Sequence, residues 1–423
     1  MPNQKRRAFI KNSLLGAVGT GVGINLMAST TDNANLPRID FEDISWEDLK
    51  KHFILSEKRT YLNTAGLGPS TKSTIQSVHD WTMRMEKESE TGHGWIKSSR
   101  QTLADFFHVL PEEMSFTRNT TEGVNIIARG LEFKKGDEII LTNHEHVGGI
   151  APWILLREEI GLEIKVVELD LNGEDNLRRI KEAISNRTKL LFVSHVTCTN
   201  GMQLPVKELA GFCRSKGILS FIDGAQAVGN IAVNLSDIDP DFYAASGHKW
   251  LLGPKSTGFL YINQKSFSKV KPHFVGAYSV ENLDFKSLSV DYVQQGSREE
   301  YGTRSTPVTK GFENAIDFID RLGIERVQKR GIDLSNYLRK RLKEIPKVQL
   351  LSPENPNYQS AILTFKIDGI DYKDVQSKLH KEFKCRTRAI YEADLMGIRV
   401  SCGIHLTYKD LDHLIDSIRS ISS

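Results

Sequence analysis

At 423 residues, with 39% apolar and 26% charged side chains, the chain has a soluble globular composition and is too long for one simple core, which suggests two domains. Its net charge of +3, with no basic block beyond a few residues, argues against nucleic acid or an acidic membrane as main partner. Four scattered cysteines, Cys198, Cys213, Cys385 and Cys402, form neither a disulfide framework nor a metal-ligand spacing.

Residues 1–30 stand outside the fold. Lys5-Arg6-Arg7-Ala8-Phe9-Ile10-Lys11, followed by a mildly apolar, Gly-rich stretch from Leu14 to Met27, resembles a twin-arginine export signal. The stretch is too short and too rich in Gly for a comfortable transmembrane helix. Export implies the twin-arginine machinery as a partner and a periplasmic or otherwise exported location. A disordered basic tail is the alternative. Residues 31–60 read as a polar arm with one short helix around Trp46 to His52.

Tyr61-Leu-Asn63-Thr-Ala65-Gly-Leu-Gly-Pro69 reads as a turn, and Trp81 to Phe107 as helical. In Phe116-Thr-Arg118-Asn119-Thr120-Thr121-Glu122, Asn119 or Thr120 caps a helix whose apolar side includes Val124, Ile127 and Ala128. Such a helix start, with free N–H groups and a positive dipole end, suits a phosphate. Asp137 to Thr142 is a strand that ends on Asn143-His144-Glu145-His146. Its His-x-His would suggest a metal, yet no third ligand stands close. Ile164 to Leu169 and Leu190 to Val193 read as buried parallel strands, with a helix from Leu177 to Ile184 between them. In His195-Val-Thr197-Cys198-Thr199-Asn200-Gly201, Cys198 is either a nucleophile or a small buried filler.

Leu219 to Asp223 is a strand ending in a carboxylate, which serves a site or caps a helix. Phe242 to Ala245 then delivers Ser246, Gly247, His248 and Lys249 to a strand end, before a break at Gly253-Pro254 and a strand from Gly258 to Ile262. A lysine drawn into a cleft there is pushed towards the neutral, nucleophilic amine. Alone, it reads rather as a surface lysine after a strand. Alternating strands and helices indicate a mostly parallel α/β sheet, whose ligand crevice lies at the carboxyl ends of its strands. Thr142, His146, His195, Asp223 and Ser246 all fall there. Beyond Glu300 to Pro307, which reads as a turn, come two amphipathic helices (Phe312 to Leu322, Leu334 to Ile345). A strand face of Leu363, Phe365 and Ile367 follows. In the strand from Gly397 to Ser401, Arg399 faces away from Ile398 and Val400, and its fork suits a carboxylate.

Asp223-x-x-Gln226, then Ser246-x-His248-Lys249 and Gly253-Pro254, resemble the class V aminotransferase family of fold-type I pyridoxal phosphate enzymes, which includes cysteine desulfurases. His248-Lys249-Trp250-Leu251 with Pro254-Lys255 and Gly258-Phe259-Leu260 is similar to its isopenicillin N epimerase-like branch. The likeness runs from about Tyr61 to the C-terminus. It implies a large domain over 61–308 with a seven-stranded, mostly parallel sheet, and a small α+β domain over 309–423. It implies pyridoxal 5'-phosphate as cofactor, with Lys249 matching the Schiff-base lysine, Asp223 the pyridinium partner and Gln226 the donor to the ring hydroxyl. Thr120, Thr121, Ser246 and His248 match phosphate ligands, and His146 the stacking ring. Asn63 falls in the early active-site loop and Arg399 matches the substrate-carboxylate arginine, with Arg386 a second candidate. Gly302-Thr303 resembles a loop that reaches the partner subunit's phosphate, which implies a homodimer.

The implied activity is chemistry at the α-carbon of an amino acid, as an aminotransferase or an isopenicillin N epimerase-like enzyme. Alternatives are a cysteine desulfurase or C–S lyase of the same family, or a catalytically inactive binding protein. A nicotinamide dehydrogenase is weak, since no G-x-G-x-x-G follows a strand. Desulfurases carry a catalytic cysteine on a loop before the substrate arginine, and Thr387 to Gly397 has none. They usually carry asparagine where Cys198 stands.

Overall fold

Seven strands build the main sheet of the computed structural model, which describes residues 41–423. The export signal expected at residues 1–30 lies outside the described residues. In chain order the strands are β1 (Met114–Thr117), β2 (Glu138–Thr142), β3 (Glu163–Val167), β4 (Thr188–Ser194), β5 (Leu219–Asp223), β6 (Phe242–Ser246) and β7 (Gly258–Ile262). In space they lie β1-β7-β6-β5-β4-β2-β3. β7 runs antiparallel to both neighbours, and the other pairings are parallel. This is the mostly parallel seven-stranded α/β sheet expected from the sequence.

Both faces of the central strands are covered, which is why they read as continuous apolar runs rather than alternating ones. Phe221 and Phe242 pack on one side with Val124, Ile127, Trp153 and Phe192. Ile222 and Tyr243 pack on the other with Leu191 and Phe259, in a core that continues to Leu363, Phe365, Val400 and Leu414.

Two sequence expectations are corrected here. The apolar run from Ile164 predicts a buried strand, but β3 is the last strand of the sheet and pairs with β2 alone, so Val166 is 57% exposed. The helix expected from Trp81 to Phe107 is two helices, Lys72–Glu88 and Ile96–Phe107, with a short 3-10 turn between them. Ser89 and Gly92 take left-handed backbone angles (φ 51° and 73°), which end the first helix. A hairpin of β8 (Val280–Asp284) and β9 (Ser289–Tyr292) was not anticipated at all.

After helices Thr306–Leu322 and Ile324–Leu342 the chain forms a four-stranded antiparallel sheet. Its strands β10 (Val348–Leu350), β11 (Ile362–Ile367), β12 (Arg388–Ile390) and β13 (Gly397–Ser401) lie in the order β10-β11-β13-β12. A parallel pairing of Thr60–Tyr61 with Cys385–Arg386 brings the segment after Tyr61 against this sheet. Asn63 thereby meets Arg399.

Candidate active site

The carboxyl ends of β2, β4, β5 and β6 lie along one edge of the sheet, as parallel pairing requires, and a cavity of about 380 Å³ opens there. Thr120, Thr121, His146, Asp223, Gln226, Ser246, His248, Lys249 and Arg399 all line it. Nine of the residues singled out from sequence therefore converge on one site. Ser194, Cys198 and Arg388 line it as well.

At the phosphate-type end, Asn119 caps the 11-residue helix Thr120–Gly130 by accepting from the Glu122 N–H. The Thr120 N–H donates to Ser246 Oγ at 3.2 Å, and the two hydroxyls lie 2.8 Å apart. The strand end of β6 and the helix start thus converge on one point, with a positive dipole end behind it. His248 Nδ1 donates to the Thr257 carbonyl at 2.8 Å, which fixes its ring beside the same point.

Asp223 accepts from the Ala225 N–H at 2.8 Å. Burial raises its carboxyl above the usual range, and the charge of Lys249 opposes the shift. Burial in turn lowers the Lys249 amine, opposed by Asp223. A buried acid and a buried amine thus share one cavity. Gly149 supports them from the helix Val147–Ile160, since a Cβ there would stand 2.9 Å from the Phe192 ring and 3.5 Å from Asp223 Oδ2.

His146 caps that helix through the Gly148 N–H (3.0 Å to Nδ1). Burial, with the charges of Lys249 and Arg388, lowers its pKa to about 4, so it offers a neutral flat ring at pH 7. Gln226 is locked at both ends: Nε2 donates to the Ala65 carbonyl (2.9 Å) and Oε1 accepts from Trp250 Nε1 (2.8 Å).

Arg399 is 1% exposed. Its Nη1 donates to the Cys198 carbonyl (2.6 Å) and its Nη2 to Asn63 Oδ1 (3.0 Å), while Nε is buried without a partner. Burial and the neighbouring Arg388 lower its pKa to about 10. The same guanidinium lines the cavity, where it presents positive charge.

Five sequence candidates fall elsewhere. His195 meets Tyr243 and lines another cavity with Leu204 and Asp237. Thr142 donates to Glu145 without lining the site. Asn63 holds Arg399 rather than lining the cavity. Arg386 points its Nη1 at the Thr387 carbonyl and does not line the cavity. Thr303 lines a different cavity, with Arg118, Lys255 and Tyr301. Two residues escaped the sequence reading. Arg388 needed the strand register to be seen. Glu145 is fully buried behind the site, where it accepts from Thr142 Oγ1 (2.6 Å), Ser194 Oγ (2.6 Å) and the Ser194 N–H (3.1 Å). In sequence its place between two histidines points only to metal-type spacing, not to this buried carboxyl.

The donor set fits pyridoxal phosphate: a buried amine, an acid beyond it, a flat neutral ring and an N–H/O–H cradle at a helix start. A family model described as aminotransferase class-V matches residues 72–414. A probable cysteine desulfurase of Methanothermobacter thermautotrophicus is 29% identical over 378 residues, covering 87% of this chain and 90% of that one. The isopenicillin N epimerase of Streptomyces clavuligerus is 26% identical, covering 89% and 98%. Among solved structures, the cystine C–S lyase C-DES, in complex with its product cysteine persulfide, superposes with a TM-score of 0.80 at 26% identity, covering 86% and 98%. A variant of that lyase carries glycine covalently linked to its pyridoxal phosphate cofactor (TM-score 0.81, 26% identity, covering 88% and 98%).

Proposed function

Since this chain belongs to the class-V aminotransferase family, whose fold-type I architecture and pyridoxal phosphate cofactor it shares, we propose that it acts on a sulfur-bearing amino acid and breaks the Cβ–S bond by elimination. Balanced for cysteine, the reaction takes water and gives pyruvate, ammonia and hydrogen sulfide. Relatives named cysteine desulfurase and cystine C–S lyase support the sulfur substrate.

One observation favours release of the sulfur over its capture on the protein. No cysteine stands in residues 387–397, and the cysteine that lines the cavity, Cys198, is buried with its thiol pushed above the usual value. A thiol kept protonated is a poor acceptor.

When bound, the cofactor supplies an electron sink for charge that develops at Cα. The chain's residues do the rest. Lys249, with its amine lowered by burial, holds the cofactor covalently and then moves the proton at Cα. Asp223 keeps a positive ring nitrogen opposite it. Thr120, Ser246 and His248 hold the phosphate. His146 covers the ring face. Arg399, whose side chain lines the cavity, takes the substrate carboxylate. We further propose that two chains form a dimer in which Thr303 reaches the partner's phosphate, and that residues 1–30 direct export.

A panel of amino acids tests the reaction. Cysteine, cystine and thioether amino acids should yield pyruvate with a sulfur product. Inversion, or keto-acid formation with no loss of sulfur, would replace elimination with epimerisation or transamination.

A further inference from the structure

In the small sheet, β12 and β13 pair antiparallel with Arg388 directly opposite Arg399. Partners in such a pair share one face, with Cβ atoms about 4.5–5.5 Å apart, and like charges there are destabilising. The pair nevertheless points two guanidinium groups into one cavity. Arg399 feels its neighbour, since Arg388 adds to burial in lowering its pKa. An arrangement that costs stability calls for anions to offset it.

One anion is built in. Arg388 Nη2 pairs with Glu392, a carboxylate with 11% side-chain exposure that also accepts from the Tyr391 N–H (3.2 Å). Glu392 does not line the cavity, so it grips Arg388 from outside. Among the described residues the other donors of Arg388, Nε and Nη1, have no hydrogen-bond partner. Arg388 is therefore held along one edge and open along the other. Arg399 differs: it lines the cavity but has two donors tied to Cys198 and Asn63. Two arginines held so differently suit two separate groups rather than one shared carboxylate.

We propose that Arg388 binds a second anionic group, at the far end of the substrate's side chain, while Arg399 holds the α-carboxylate. The substrate class is then an amino acid whose sulfur carries a further segment ending in a carboxylate, as a disulfide or thioether. This deepens the elimination reading above and rests on it for the sulfur, though not for the second carboxylate. Elimination from such a substrate, again with one water, releases pyruvate, ammonia and the far half as a persulfide or thiol.

The test uses cofactor-loaded enzyme and matched ligands. S-(2-carboxyethyl)cysteine and S-propylcysteine differ at the chain end, and glutamate and norvaline form a sulfur-free pair. Binding is read from the change in cofactor absorbance, which needs no C–S cleavage, and pyruvate release is scored separately. A charge-assisted contact predicts that the enzyme prefers the carboxylate-bearing member of each pair by on the order of ten- to a hundredfold. Arg388→Gln should collapse that ratio towards one, and Arg388→Lys, which keeps the charge without the planar fork, should retain part of it. The proposal is overturned if the enzyme shows no preference within either pair. It is equally overturned if Arg388→Gln keeps the full ratio, including the case in which both members weaken together, because Arg388 would then share the α-carboxylate. If the preference holds but no ligand yields pyruvate, the elimination reading fails while the second-anion site stands.

Discussion

Replacing Arg399 by Leu removes the donor group assigned to the substrate carboxylate. Its fork, which lines the cavity, is assigned two charge-assisted hydrogen bonds to that carboxylate, each worth about 1.5–3 kcal/mol. At about 1.4 kcal/mol per tenfold, Arg399→Leu should weaken amino-acid binding by on the order of a hundredfold or more. Arg399→Lys should recover only part of this, since an ammonium lacks the fork. The substitution also strands Asn63 Oδ1 and the Cys198 carbonyl, which now accept from the guanidinium. Each costs about 1–3 kcal/mol if left unpaired, so the thermal midpoint should fall as well. Cofactor absorbance titrated with cysteine measures the binding loss, and cysteamine, which lacks the carboxylate, controls for repacking. Cysteamine should bind the parent and the variant almost equally. The assignment is refuted if the variant binds cysteine as the parent does, or if cysteamine loses as much affinity as cysteine.

Further outcomes are expected from other parts of the molecule. Replacing Arg6 and Arg7 together by Lys should leave active, cofactor-loaded enzyme in the cytoplasm, and cell fractionation showing unchanged export would exclude the twin-arginine route. Gly149→Ala should loosen cofactor binding, because the added Cβ lies 2.9 Å from the Phe192 ring beside Asp223, and overpacking typically costs about 1–3 kcal/mol; unchanged cofactor affinity in an equilibrium titration would contradict this. Stability of the apoprotein should fall between pH 6.5 and pH 4.5. Buried His195 and His405 are lowered from 6.5 to about 4, so the unfolded chain takes up protons that the fold refuses. Stability is then full above about pH 6.5 and lost as pH falls, by up to about 3 kcal/mol per histidine. Glu145, raised from 4.5 to about 7, acts in the opposite sense across this whole window and offsets about one histidine, so the net loss is about that of the other. A urea midpoint that is equal or higher at pH 4.5 would show that these histidines are not held neutral.

Local chemistry was legible where it sits at a strand end. Asp223, Ser246 and Lys249 follow apolar runs in central strands, and a parallel sheet must carry such ends to one edge. What sequence could not supply was register and position within the sheet. Val166 looks like its buried neighbours in composition, yet β3 lies at the edge. Arg386 and Arg388 are two residues apart in one basic stretch. Only the pairing of β12 with β13 selects Arg388, and only the pairing of Cys385–Arg386 with Thr60–Tyr61 takes Arg386 elsewhere. Likewise Asn63 read as a pocket residue, since nothing local shows that its carbonyl oxygen meets an arginine 336 positions away.

The most direct test is the covalent bond between Lys249 and the cofactor. Borohydride treatment of the purified enzyme should bleach its visible absorbance and fix the cofactor mass on the peptide containing Lys249. Lys249→Ala should lack both the absorbance and the modified peptide while retaining a native circular dichroism spectrum. A variant that keeps the reducible absorbance, or a parent enzyme modified at another lysine, would contradict the assignment of this site.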